Sequence, residues 1–214
     1  MNIPIKVSLV LTGVLSLCFS AQAELTANIG VYSDYLFRGV TQTQEDPAVQ
    51  GGVDWASDTN GFYAGTWLSN TDFNPPEQED SGIEIDLYAG YTWEQGRFSF
   101  DLGIISYQYP SISSNTEEAY IGLGVAGFEA YLWHNWDNEN TFYSAAYGWT
   151  VAEDMDLSLG AGFFDPDQGQ DYLTYSVTVS KPFNDFEWSL VLSNTDIDGD
   201  NFTAVLGVST EFGL

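Results

Sequence analysis

The residues of this chain best placed to do chemistry are carboxylates that alternate with apolar side chains. Asp34, Asp54, Glu84, Asp86, Asp101, Glu118, Glu129, Asp156, Glu187 and Glu211 fall in one phase of their segments, with apolar residues in the other. On a β-strand that phase difference sends them to opposite faces. If the acidic face encloses water, a low-dielectric wall of like charge focuses a negative potential, which favours cations and repels anions. Carboxylates that only solvate a filled interior are the alternative. Arg38 shares the phase, with Asp34 before it and Glu45 and Asp46 after it. It reads either as an internal salt bridge pinning the adjoining loop or as a constriction residue that sets a transverse field.

Two further clusters lie between segments, Glu77 to Asp80 and Asp196 to Asn201. Asp196, Asp198 and Asp200, with Gly199 for the turn, resemble the start of a calcium loop, although the distal bidentate Glu is missing. Ca²⁺ at an extracellular loop, divalent bridging to lipopolysaccharide, and plain solvation are all open, and no other cofactor is implied. His134 is the single histidine and stands beside Asn135. A Ser-His-Asn hydrolase would need a nucleophile motif that does not accompany it. The chain is therefore not read as an enzyme.

The elements that must position these groups are strands. From Leu25 onward, period-2 segments alternate with clusters of Gly, Asp, Asn and Pro, the layout of an all-β meander. In Ile83 to Trp93 the odd positions are apolar and the even ones carry Glu84, Asp86, Tyr88, Gly90 and Thr92; a helix would scatter these around its circumference. Phe202, Ala204, Leu206 and Val208 likewise oppose Thr203, Val205, Gly207, Ser209 and Glu211. Twelve strands are predicted, at 25–37, 47–56, 61–70, 83–93, 97–109, 118–126, 128–137, 141–151, 155–165, 171–181, 186–194 and 202–211. The connections alternate long and short, apart from a short 138–140. Outer-membrane barrels do the same, with tight periplasmic turns and longer extracellular loops.

Residues 1–23 read as a cleaved secretory signal peptide, with Lys6, an apolar stretch from Val7 to Phe19, and Ala21-Gln22-Ala23 as the cleavage motif. Cys18 lies inside it, and bulky Leu17 argues against a lipoprotein signal. Residues 24–214 then form one barrel domain without cysteine, holding Arg38, Arg97 and Lys181 against 31 acidic residues. That balance makes nucleic acid a poor partner. An aromatic content of 16% is the opposite of a disordered acidic chain.

Aromatic pairs near segment ends suit an interfacial girdle: Tyr35 and Phe37, Tyr91 and Trp93, Tyr107 and Tyr109, Trp133 and Trp136, Phe163 and Phe164. Inside, Gly52, Gly90, Gly103, Gly122, Gly124, Gly160 and Gly162 are expected to leave room, and Tyr88, Tyr120, Tyr131 and Trp133 to take it back.

At Ser33-Asp34-Tyr35-Leu36-Phe37-Arg38-Gly39-Val40, then Pro47 to Gly52, Gly61 to Trp67 and Glu84 to Tyr91, the sequence resembles the TorF-type porin family, an outer-membrane family of uncharacterised function. The resemblance covers the first third of the chain after the leader and implies a β-barrel and a porin role, with no solute specified. Such barrels often end on an aromatic residue read by the assembly machinery, whereas this chain ends Phe212-Gly213-Leu214.

The expectation is thus an all-β, single closed antiparallel up-and-down transmembrane barrel in the outer membrane of a Gram-negative bacterium. Its partners would be membrane lipid and lipopolysaccharide, the barrel-assembly machinery, and ions or small solutes. The leading function is passive, cation-preferring diffusion through a narrow acidic lumen. A closed barrel with a structural or adhesive role through its loops, and a soluble periplasmic barrel for a small ligand, are the alternatives.

Overall fold

A computed structural model describes residues 24–73, 81–110 and 114–214 of the chain. The leader expected at 1–23 and the Glu77 to Asp80 cluster lie outside them.

Twelve strands close into one barrel. In chain order they are β1 (Glu24–Tyr32), β4 (Ala48–Ala56), β5 (Phe62–Asp72), β6 (Ser81–Gln95), β7 (Phe98–Tyr109), β8 (Ser114–Val125), β9 (Phe128–Asn135), β10 (Asn140–Ala152), β11 (Met155–Pro166), β12 (Tyr172–Phe183), β13 (Phe186–Thr195) and β14 (Thr203–Gly213). Two short strands, β2 (Leu36–Phe37) and β3 (Val40–Thr41), pair only with each other, between β1 and β4. Each barrel strand bonds antiparallel to its neighbours along the chain. The ring closes where β1 meets β14, from Thr26 opposite Gly213 to Tyr32 opposite Gly207.

The tight turns share one end of the barrel. Ala126 and Gly127, between β8 and β9, have φ of 51° and 85°. Positive φ at both central residues marks the type I′ turn, whose twist suits a two-residue hairpin. The opposite end carries, among the described connections, 33–47, 136–139, 167–171 and 196–202.

Period-2 alternation decides which side chain faces which way. Along β6, Ile83 and Leu87 are 54% and 52% exposed, while Glu84 and Asp86 are 1% and 6% exposed. On β14, Leu206 is exposed and Val205 buried. Most of the large aliphatic side chains of this barrel are therefore on its outside. Aliphatic residues such as Leu87, Ile104, Ile121 and Leu159 occupy mid-strand positions, and exposed aromatics flank them towards both ends. At the tight-turn end Phe62 and Tyr91 have ring centroids 4.9 Å apart and Trp93 stacks on Phe100 at 5.0 Å; towards the other end Tyr143 stacks on Phe163 at 6.3 Å. An apolar band between aromatic belts is the surface that a lipid bilayer solvates.

Three expectations are corrected. The first strand ends at Tyr32 rather than running to residue 37. Its last rung is Ser33 N donating to the Leu206 carbonyl at 2.9 Å, after which the chain turns into the barrel. Of the predicted girdle residues, Tyr35, Phe37, Tyr107, Tyr109, Trp133 and Phe164 point inward, because they lie on that segment or share the phase of the acidic residues. The inward glycines do not simply leave room. A Cβ on Gly90, Gly103, Gly122 or Gly162 would collide with the ring of Tyr63, Tyr120, Tyr131 or Phe142 respectively. Each of these glycines is a seat for an aromatic ring from an adjacent strand.

The outward phase yields a direct test. Leu87→Arg places a cation in the middle of the apolar band and is expected to cost about 2–4 kcal/mol. Urea unfolding of the barrel in lipid vesicles measures it; an unchanged midpoint would mean that this face does not meet hydrocarbon.

Candidate functional site

The segment 33–47 is the central feature of the interior. Leu36 pairs with Thr41 and Phe37 with Val40, so Arg38 and Gly39 form the tip of a two-residue hairpin. Their φ values are 52° and 85°, again the type I′ signature. Gly39 adopts this freely, whereas for Arg38 the left-handed region costs roughly 1–2 kcal/mol. The hairpin is braced at its base. Asp34 accepts hydrogen bonds from the Thr41 and Thr43 hydroxyls at 2.6 and 2.8 Å. Asp72 N donates to the Gln42 carbonyl at 2.7 Å, and Tyr35 meets Trp67 of β5 edge-on at 5.3 Å.

From that base the tip crosses the lumen. Counted round the ring, β9 stands opposite β1, and Arg38 contacts the strands on either side of β9. Its Nη2 donates to Glu118 Oε2 of β8 at 2.6 Å. Its guanidinium carbon lies 4.7 Å from the Phe142 ring centre on β10 and 5.9 Å from that of Phe164 on β11. Gly39 sits against Thr174 and Thr195 of β12 and β13; a Cβ there would stand 2.9 Å from Thr195 Cγ2.

The internal salt bridge read for Arg38 is present, but its partner is not one of the acidic neighbours in sequence. Asp34 Oδ1 accepts from the two threonines while its Oδ2 is buried without a hydrogen-bond partner among the described residues, and Glu45 and Asp46 are exposed. The partner is Glu118, which also accepts from the Tyr107 hydroxyl at 3.0 Å. Arg38 and Asp34 belong to the inward hairpin, not to the barrel wall.

The remaining predicted residues are on the inner face of the wall. Glu84 accepts from the Tyr109 hydroxyl at 2.8 Å, and its other oxygen is buried without a hydrogen-bond partner among the described residues. Asp86 Oδ1 is in the same condition. Nearer the tight turns, Asp54 accepts from Asn28 at 3.3 Å and from the Tyr88 hydroxyl. Asp101 accepts from Tyr63 at 2.7 Å, and Tyr63 in turn meets the Tyr120 hydroxyl at 2.5 Å. Asp156 takes the Thr150 hydroxyl at 2.7 Å. Glu129 and Glu187 are half-buried.

The wall is lopsided. Carboxylates and rings concentrate on β4 to β9, while the inward positions of β12 and β13 are small, including Thr174, Thr178, Ser180, Ser189 and Ser193, all buried.

Asp196, Asp198 and Asp200 do not converge. Asp196 accepts from Leu173 N at 2.6 Å and Asp200 from the Thr195 hydroxyl, which shapes the loop. Among the described residues no group of three or more His, Cys, Asp or Glu is placed to hold a metal ion. His134 faces outward, 3.1 Å from the Thr141 hydroxyl.

Sequence reasoning missed the roles of Tyr107 and Tyr109, which bond to carboxylates on adjacent strands, and of Phe142 and Phe164, which meet the hairpin tip, since neither kind of contact leaves a local pattern. The local signal for the hairpin was weak, because Gly39 suits the second central position of a two-residue turn but Arg is not among the residues favoured at the first.

Residues 19–203 match a family described as a bacterial protein of unknown function, Gcw_chp. The chain belongs to that family. No curated protein matches it. Among solved structures, this Gcw_chp member is similar to the KdgM porin, with a TM-score of 0.61 and 10% identity over 88% of this chain and 99% of the porin. It is similar also to KdgM in complex with disordered oligogalacturonate (0.60, 10%, 89% and 99%). Omp33 of Acinetobacter baumannii aligns at 0.53 and 4% identity over 91% and 99%. At such identities the likeness is one of fold.

Gly39 should tolerate no side chain. Gly39→Val combines a disfavoured φ with a clash against Thr195 and is expected to lose about 1–3 kcal/mol. The hairpin should also leave the lumen, seen as new protease cleavage within 33–47 of the detergent-folded protein. Wild-type resistance to cleavage in this variant would show that the tip is not seated as described.

Proposed function

We propose that this chain is a narrow outer-membrane porin that passes ions or small solutes and prefers cations, with the 33–47 hairpin as its constriction. One observation carries the reading: Glu84, Asp86 and Glu118 face the lumen around a hairpin tip that brings a single guanidinium. Excess carboxylate in a low-dielectric cylinder lowers the energy of a passing cation and raises that of an anion. The oligogalacturonate in one KdgM structure is a polyanion, and the interior described here has the opposite preference. The TorF-type resemblance of the first strands and the apolar outer band agree with this assignment. On the same reading the leader is removed on export, the barrel-assembly machinery inserts the chain, and the longer loops face lipopolysaccharide. No cofactor is required.

The depth to which the hairpin enters favours a second reading, a closed barrel that acts through its outer loops. Planar-bilayer recording separates the two. A pore gives conductance steps whose reversal potential in a KCl gradient reports cation preference, and Glu84→Gln with Asp86→Asn should lower that preference several-fold. Folded protein that gives no steps would select the closed barrel, and an anion-directed reversal potential would reject the acidic-lumen argument.

A further inference from the structure

Arg38 occupies surroundings that a free ligand would also recognise. Its guanidinium lies 4.7 Å from the ring centres of both Phe37 and Phe142 and 5.9 Å from Phe164, and it donates to Glu118 at 2.6 Å. Both side chains of the ion pair are almost wholly buried, at 5% and 3% exposure. Of the groups around the guanidinium, Phe37 alone belongs to the hairpin. Phe142, Phe164, Glu118 and Tyr107 are carried by β10, β11, β8 and β7, so they stay in place if the hairpin withdraws.

What remains on the wall is two aromatic rings beside a hydrogen-bonded carboxylate. Aromatic faces attract cations, and a planar, weakly hydrated guanidinium stacks on them better than an ammonium does. A second observation points the same way. Glu84 Oε2 and Asp86 Oδ1 are buried without hydrogen-bond partners among the described residues, and Asp86 lies within electrostatic reach of both Glu84 and Glu118. The guanidinium is paired with Glu118, and without it that carboxylate would be left uncompensated, beside Asp86, in a medium that penalises lone charge.

We propose that the wall formed by Glu118, Tyr107, Phe142 and Phe164 is a guanidinium-binding site, and that Arg38 is its tethered occupant. A solute bearing a guanidinium group competes with the hairpin for this site and displaces it. The tether sets the terms of competition, because a short linker gives an effective concentration on the order of millimolar. Removing the tethered cation removes that competitor while leaving the wall intact.

The inference rests on the lumen being open to solutes, as proposed above, but its test does not depend on conductance. Detergent-folded wild type, Arg38→Ala and Arg38→Ala/Glu118→Gln are heated with graded guanidinium chloride, using equal sodium chloride as the control. The unfolding temperature is read from the shift in gel mobility. Arg38→Ala should be stabilised by guanidinium and not by sodium, at concentrations at least about tenfold below any wild-type response. The double variant should lose the response. If Arg38→Ala does not fold alone, low guanidinium during refolding should restore it. Failure of guanidinium either to stabilise or to restore this variant overturns the proposal, as does an equal effect of sodium. A guanidinium response from a protein that gives no bilayer steps would reject the pore and keep this site; steps without the response would do the reverse.

Discussion

The constraint on which the whole structure depends is that a backbone crossing hydrocarbon has to satisfy its own hydrogen bonds. An unpaired amide or carbonyl there costs several kcal/mol, so a sheet that spans lipid has no free edge. In this chain the constraint is met at β1, which pairs with β4 along its length on one side and with β14 on the other. Closure then fixes the remaining chemistry. With each strand's register set by its neighbour, every second side chain is committed to the outside. The sequence obliges with Leu, Ile and Val at mid-strand and aromatics towards the ends.

The inward set is left with an electrostatic problem. Carboxylates such as Glu84, Asp86, Glu118 and Asp101 face one another inside a cylinder, where each would be costly alone. The chain meets this with phenol hydroxyls, from Tyr109 to Glu84, Tyr63 to Asp101, Tyr88 to Asp54 and Tyr107 to Glu118. Two of those rings, Tyr63 and Tyr88, also fill the space above the inward glycines Gly90 and Gly65, as Tyr120 and Tyr131 do above Gly103 and Gly122. A hydroxyl can stabilise a carboxylate but cannot neutralise it. Among the described residues the one ion pair to an inward carboxylate is that of Arg38 with Glu118, delivered across the lumen on a hairpin.

Much of this was legible in the sequence. The period-2 pattern placed the twelve barrel strands to within a few residues, apart from the overlong end of the first, and the phase of Glu84, Asp86 and Glu118 placed them inside. The fate of residues 33–47 was not legible, for two physical reasons. Asp34 and Arg38 continue the alternation of β1, so they read as wall although the strand has ended. The partner of Arg38 lies 80 residues away, across a ring whose diameter only closure defines. Gly39 suits a tight turn but Arg38 does not advertise one, and nothing in the sequence says that a loop points inward instead of outward. The aromatic girdle was overcounted for a related reason. Clustering near a strand end is shared by interfacial and lumenal rings, and only the phase separates Trp136 from Trp133.

The hairpin's attachments bear on how it can move. Its base is tied by backbone bonding to Asp72 and by the threonines on Asp34, whereas its tip is held by one ion pair, ring contacts, and the fit of Gly39 against Thr174 and Thr195. A buried ion pair whose partner is removed is strongly destabilising, yet the same pair contributes little when compared with an apolar replacement. The tip is thus held firmly in place without being deeply stabilised. Because the side chains around it are set in a closed sheet, the wall cannot follow the tip if it leaves. Motion is confined to the loop, and the two states differ in whether Glu118 has a cation beside it. A loop with a firm base, a charged tip and a fixed receptor for that tip responds to the cations in its lumen and not to the shape of the barrel.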